Sequence, residues 1–180
     1  MAKLKIRSIE IPKGFVVNVN GKEVTIKGNG KELKKSFKLG RVNISVVDEK
    51  IKIDASKSTK RESKMAGTIS AHLTNLIKGL GKEYVYKLEI CNVHFPMNVK
   101  VEKDDVVIKS FLGEKVDRIS KILPNVKVEV KGNEITVSSS DIEAAGQTAA
   151  NIEKATRITG RDRRIFQDGI YITSKCGEKI

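Results

Sequence analysis

The 180-residue chain has no tryptophan, two cysteines, two histidines and three prolines, and aromatic residues make up only 4% of it. Each scarcity removes a class of protein. Cys91 and Cys176 are too few for the disulfide framework of a small secreted domain, so a reducing cytoplasm is the expected location. A structural zinc site takes about four ligands. The only soft or imidazole donors are Cys91, Cys176, His72 and His94, and Cys91 and His94 would point to opposite faces of an expected strand. No metal is therefore expected. No apolar run approaches the roughly 18 residues of a membrane-spanning helix, and no signal-peptide core follows Met1, so no membrane partner is expected. Acidic residues are short as well: 22 Asp and Glu face 35 Lys and Arg, a formal net charge of +13. That excess favours a polyanionic partner, nucleic acid first. Hydrophobic residues at 39% exclude a disordered basic chain and allow one medium domain or two small ones.

The charge is segregated. Residues 1–81 carry 18 basic and 7 acidic residues, 82–153 carry 10 and 12, and 154–180 carry 7 and 3. A basic first half is thus followed by a near-neutral body and a basic tail. Solubility alone does not require such a separation.

Along the chain, Met1–Arg7 is a short basic lead-in to Ile9-Glu10-Ile11-Pro12. Two β-like runs, Phe15–Val19 and Glu23–Lys27, flank Asn20-Gly21, and Asn-Gly between such runs predicts a type I′ hairpin turn. Gly28-Asn29-Gly30 reads as a further turn. It lacks the third glycine of a dinucleotide fingerprint and the Gly-Lys-Ser/Thr of a phosphate-binding loop. Val42–Val46 turns at Asp48-Glu49-Lys50 into Ile51–Ile53, completing a small antiparallel meander. Thr59 and Glu62 have capping-box spacing, and Met65, Ile69, Leu73, Leu76 and Leu80 recur at helical spacing. Gly79 and Gly81 are suitable helix terminators. Lys57, Lys60, Arg61 and Lys64 crowd the helix start, where the macrodipole disfavours positive charge.

The second half repeats the first. Pro96 matches Pro12, Val106–Lys109 matches Val24–Lys27, Gly113 matches Gly30, and Glu134–Val137 matches Lys50–Ile53, at offsets of 82 to 84 residues. A second capping box is expected at Ser140 and Glu143, followed by the stripe Ile142, Ala145, Ala149 and Ile152. Tyr84–Ile90 reads as a β-like connector. Self-similarity at this period indicates duplication of one meander-plus-helix unit. The expected fold is α+β: two duplicated domains, each a small antiparallel β-meander or barrel-like sheet packed on one α-helix. The expected boundaries are 1–82 and 83–180, with a basic tail over 155–180.

Catalytic chemistry is hard to find. Asp104-Asp105 and Asp48-Glu49 sit at expected hairpin tips, where solvation explains them. Ser138-Ser139-Ser140 has no histidine placed to activate it. His72 reads as a packing or surface histidine of the first helix. No enzyme, cofactor or small-molecule substrate is expected.

The informative stretch is Thr156–Thr173. Arg157, Arg161, Arg163 and Arg164 fall within eight residues, and guanidinium groups grip phosphate bidentately. Phe166 and Tyr171 lie close enough in sequence to stack on bases. The plain alternative is a solvated basic tail whose Ile165, Phe166, Ile170 and Ile172 add a strand to a sheet.

This stretch, the opening Ile9-Glu10-Ile11-Pro12, the helix Asp141–Glu153 and the paired domains resemble the ribosomal protein L6 family of the large subunit, in its archaeal and eukaryotic branch. The resemblance spans essentially the whole chain, and the C-terminal signature is its specific part. It implies a non-catalytic constituent of the large subunit that binds large-subunit rRNA near the sarcin–ricin loop and the translation-factor site. The implied partners are that rRNA and neighbouring ribosomal proteins, with translation factors acting close by. By the same resemblance, Arg157, Arg161, Arg163 and Arg164 are phosphate contacts. Lys154, Phe166, Gln167, Asp168 and Gly169 are tail-positioning or RNA-facing residues; Lys175 is expected to bind RNA as a basic residue of the tail, although Ser174–Ile180 matches no family motif. The alternative is a non-ribosomal RNA- or DNA-binding adaptor on the same duplicated fold. Family members dock chiefly through the second domain, whereas the charge excess lies on the first. Its lysines either meet other RNA helices or proteins, or act as a long-range field.

Overall fold

The computed structural model describes residues 7–12, 14–47, 50–55 and 59–180. Most of the basic lead-in, the Asp48-Glu49 turn and Lys57 lie outside them. The chain divides into two compact units, Met1–Lys82 and Glu83–Ile180.

Unit 1 holds two three-stranded antiparallel sheets. One is ordered β1 (Arg7–Glu10), β6 (Lys50–Ala55), β5 (Val42–Val47); the other is β2 (Val16–Asn20), β3 (Glu23–Gly28), β4 (Lys31–Ser36). The two-residue period puts Val24 and Ile26 of β3, and Ile51 and Ile53 of β6, on inward faces where each is fully buried. They pack with α1 (Lys60–Gly81), whose Ala66, Ile69, Leu73, Leu76, Ile77 and Leu80 make the facing stripe. Met65 of the expected stripe is only partly buried against this core. Burying each large aliphatic side chain contributes about 1.5–3 kcal/mol, which is what holds so short a set of strands together.

The capping box at Thr59 and Glu62 forms, with Thr59 N–H donating to Glu62 Oε2 at 3.2 Å. Glu62 puts a carboxylate in the first turn, favourable at the positive end of the helix dipole and a counterweight to Lys60, Arg61 and Lys64. The glycine terminators do not operate as expected. Gly79 is buried inside the helix, and the chain leaves through Lys82 in an extended conformation, its N–H donating to Lys78 O. The Asn-Gly type I′ turn also sits elsewhere. Asn20 pairs with Glu23 as the last residue of β2, so Gly21-Lys22 form that turn and only Gly21 has positive φ. Both central positions have positive φ at Asn29-Gly30 instead (50° and 73°). There the Asn29 side-chain amide also donates to Leu80 O at 2.9 Å, tying the hairpin to the end of α1.

Unit 2 repeats this plan and extends it. The sheet β10 (Arg118–Lys121), β9 (Asp105–Lys109), β8 (Asn98–Glu102) is the counterpart of β4-β3-β2. The second sheet runs β11 (Val126–Lys131), β12 (Glu134–Ser139), β7 (Tyr84–Cys91), β13 (Gly169–Lys175), β14 (Glu178–Lys179). Its first three strands correspond to β5-β6-β1. The sequence repeat is therefore a structural one: Val106, Ile108, Ile135 and Val137 are buried like Val24, Ile26, Ile51 and Ile53. Tyr84–Ile90 is not a connector. It belongs to β7, the counterpart of β1, and it is the middle strand of its sheet.

The second helix, α2 (Ile142–Ala155), starts one residue later than expected. Asp141, not Ser140, is the N-cap, its carboxylate accepting from Glu143 N at 2.9 Å. Ala145, Ala149 and Ile152 are fully buried as their spacing predicts, together with Thr148. Two alanines in that stripe let the helix lie close on a sheet already filled by Leu88, Ile90 and Ile170.

The basic tail is not a tail. Gly169–Lys175 pairs antiparallel with β7, from Gly169 opposite Cys91 to Lys175 opposite Tyr86. The apolar residues Ile170 and Ile172 supply the reason, since a strand with one buried face lowers its free energy by covering the open edge of β7.

Candidate nucleic-acid interface

Because β13 is fixed in the sheet, residues 157–168 become a closed excursion from the end of α2 to the start of β13. Buried polar groups fasten both ends. At the first, Thr156 is 3% exposed; its hydroxyl donates to Glu153 O (3.1 Å) and accepts from Ile170 N (2.9 Å), joining helix to strand. At the second, Asp168 is fully buried. Its Oδ1 accepts from Val93 N (2.8 Å) and His94 N (2.9 Å), and its Oδ2 lies 2.7 Å from His94 Nδ1. Burial pushes the Asp168 carboxyl up, but hydrogen bonds from the His94 backbone and ring and from Phe95 and Val93 outweigh it and hold it below the usual carboxylate range.

His94 thus lies beyond the end of β7 and is not on a strand with Cys91. Its ring lies against Phe166 (5.1 Å between centroids), and Arg161 covers the same Phe166 at 4.8 Å. The loop 92–97 and the arginine loop are one construction. Arg118 is a further brace that nothing in the sequence marks. Its Nη1 donates to Ala155 O (2.9 Å) and Arg157 O (3.2 Å), satisfying carbonyls at the C-terminus of α2, while Glu114 holds its other face at 2.6 Å.

The four arginines consequently differ. Arg164 is paired to Asp162 at 2.7 Å, and that contact draws the Asp162 carboxyl below its ordinary range. Arg161 is occupied with Phe166. Arg157 and Arg163 have exposed side chains with no ion pair or hydrogen bond among the described residues, as does Lys154. These three line one cleft of about 350 Å³ with Tyr171 and Glu153, between the end of α2, the loop and the start of β13. The remaining expected site residues are scattered. Gln167 caps the turn by donating to Arg164 O at 3.3 Å. Gly169 is buried, and a Cβ there would lie 3.1 Å from the Tyr171 ring. Lys175, at the far end of β13, stands about 20 Å from the loop at the usual strand rise.

Sequence reasoning missed His94, Arg118 and Thr156. Each acts on a partner brought near only by folding, 74, 37 and 14 residues away respectively.

The chain is thus a duplicated antiparallel α+β protein whose second unit carries a braced, cation-rich loop. The particular family is shown by comparison. The family model for ribosomal protein L6 matches residues 11–82 and 95–169, one segment in each unit, and the chain belongs to that family. The large ribosomal subunit protein uL6 of Methanococcus vannielii is 44% identical over 180 residues, covering all of this chain and 99% of its own. Those of Methanosarcina mazei and Methanobrevibacter smithii are each 46% identical, over 98% and 93% of this chain and 100% and 94% of theirs. These are structural ribosomal components, and the chain is not an enzyme.

Proposed function

We propose that this protein is a structural constituent of the large ribosomal subunit, in the cytoplasm, that binds its rRNA through the loop between α2 and β13. The observation that carries the reading is the set of three cations, Lys154, Arg157 and Arg163, whose side chains have no partner among the described residues and line one cleft. Phosphate contacts of this kind supply affinity and salt dependence, while the shape of the folded RNA supplies specificity. Arg161, Arg164, Gln167 and Asp168 hold the loop in shape; Lys175 acts apart from it. Resemblance to the family favours a position near the sarcin–ricin loop, where translation factors act. The braced loop suits such a position, because it presents its cations without first having to order a chain.

Binding of the full chain to large-subunit rRNA across a salt series tests the reading. Arg157→Ala and Arg163→Ala should each weaken binding and lower the log–log salt slope by about one unit. Arg164→Ala should change the slope less, because Asp162 already neutralises that side chain. If neither Arg157→Ala nor Arg163→Ala altered affinity or slope, the RNA site would lie elsewhere, the basic unit 1 being the next place to look.

A further inference from the structure

The cleft at the end of α2 has more in it than charge. Arg157, Arg163 and Lys154 stand on its rim, and the ring of Tyr171 forms part of its wall. That ring is positioned closely. It packs where Gly169 has no side chain, its hydroxyl reaches Gln167 O at 3.4 Å, and β13 holds its backbone opposite Glu89. The negative end of the α2 dipole disfavours an anion here, and Arg118 offsets part of it by donating to Ala155 O, the last helical carbonyl, and to Arg157 O beyond it, although Glu114 pairs with its remaining nitrogens. Glu153 is the one acid in the lining, and its Oε1 accepts from Ile172 N at 3.4 Å. Cations therefore outnumber carboxylates three to one around an aromatic wall.

We infer that this cleft receives a single unpaired nucleotide of RNA, its base stacked on Tyr171 and its phosphate held by Arg157, Arg163 and Lys154. The volume, about 350 Å³, is at the small end of the range for ligand pockets, the size for one nucleotide and not for a helix. An unstacked base on an aromatic ring with arginine at the phosphate is how single-stranded positions are read in RNA. The inference deepens the rRNA-binding reading and rests on it. It adds that the docked RNA must carry an extruded residue at this point.

The test uses the full chain and two RNA hairpins, one with a single unpaired 2-aminopurine in its stem and one with that residue paired. The unpaired form should bind roughly tenfold more tightly, the factor that one base stacked on an aromatic side chain supplies, and its fluorescence should be quenched on binding. Tyr171→Leu should remove both the preference and the quenching without changing the salt slope. Tyr171→Phe keeps the ring and should retain both, which separates stacking from any damage to the strand. Equal affinity for the two hairpins without quenching, or a preference that survives Tyr171→Leu, would overturn the inference. Adenosine monophosphate competing as effectively as the unpaired hairpin would overturn its assignment to RNA. Failure of the underlying reading looks different: the Arg157→Ala, Arg163→Ala double variant would then bind large-subunit rRNA and both hairpins as the unmodified protein does.

Discussion

Replacing Asp168 by alanine removes the lock between the arginine loop and loop 92–97. The carboxylate is fully buried and accepts two backbone N–H groups at 2.8 and 2.9 Å while facing the His94 ring at 2.7 Å. Losing charge-assisted bonds and stranding their donors costs about 1–3 kcal/mol per buried group. Val93 is 67% exposed, so water can rescue part of that loss, and an overall destabilisation of about 3 kcal/mol is expected. At a typical urea dependence this is a midpoint shift of about 1.5 M. Because the chain has two units, unfolding should be followed at the amides of β7 and β13, where unit 2 alone reports. The pH dependence supplies the sharper check. The folded-state pKa of Asp168 is depressed, so its contribution is fully present above the unfolded value of about 3.9 and is lost as pH falls through the lower folded value. The gap between the two proteins should hold from neutral pH to about pH 4 and narrow below it, as the charge-dependent part of the contribution is lost. A gap under about 1 kcal/mol at neutral pH, or one undiminished at strongly acid pH, would refute this account of the loop.

Other perturbations probe the same construction. Thr156→Val keeps the shape but strands Ile170 N, and should cost unit 2 about 1–2 kcal/mol in urea unfolding. A chain ending at Ala155 lacks β13 and exposes the edge of β7; its β7 amides should lose their hydrogen-exchange protection, whereas a mere tail would leave them protected. Leu73→Ala, at a fully buried position of α1, should cost unit 1 about 2–5 kcal/mol and leave the exchange rates of unit 2 unchanged. Tyr86, pushed up to about 12 by burial and then by the nearby Cys176, should stay neutral while the unfolded phenol ionises near pH 10. Stability should therefore fall as pH rises from about 10 to 12, and Tyr86→Phe should abolish that part of the loss.

Sequence periodicity and spacing determined a good deal of this protein. The two-residue alternation around Val24 and Ile26, its copy at Val106 and Ile108, and the stripes through Leu73 and Ala149 all depend on local geometry. A strand or helix turns its side chains with a fixed period wherever it ends up, so inward faces can be read before the fold is known. The Thr59 cap was legible for the same reason, since both partners lie in one turn. The C-terminal residues carried the family likeness and the basic character of the loop.

What the sequence did not determine is which surface each polar residue meets. Arg157, Arg161, Arg163 and Arg164 are chemically equivalent in a linear reading. Only the arrival of Asp162 and Phe166 beside two of them leaves the other two facing the cleft. Residues 169–175 could equally have been a loose tail until the open edge of β7, a feature of the assembled sheet, took them as a strand. Asp168 was expected among the tail-positioning or RNA-facing residues, and it is a buried lock because residues 93–95, more than 70 positions earlier, present their N–H groups to it. Pairing across such distances is decided by the lowest free energy of the whole packed unit. No window of sequence contains that information.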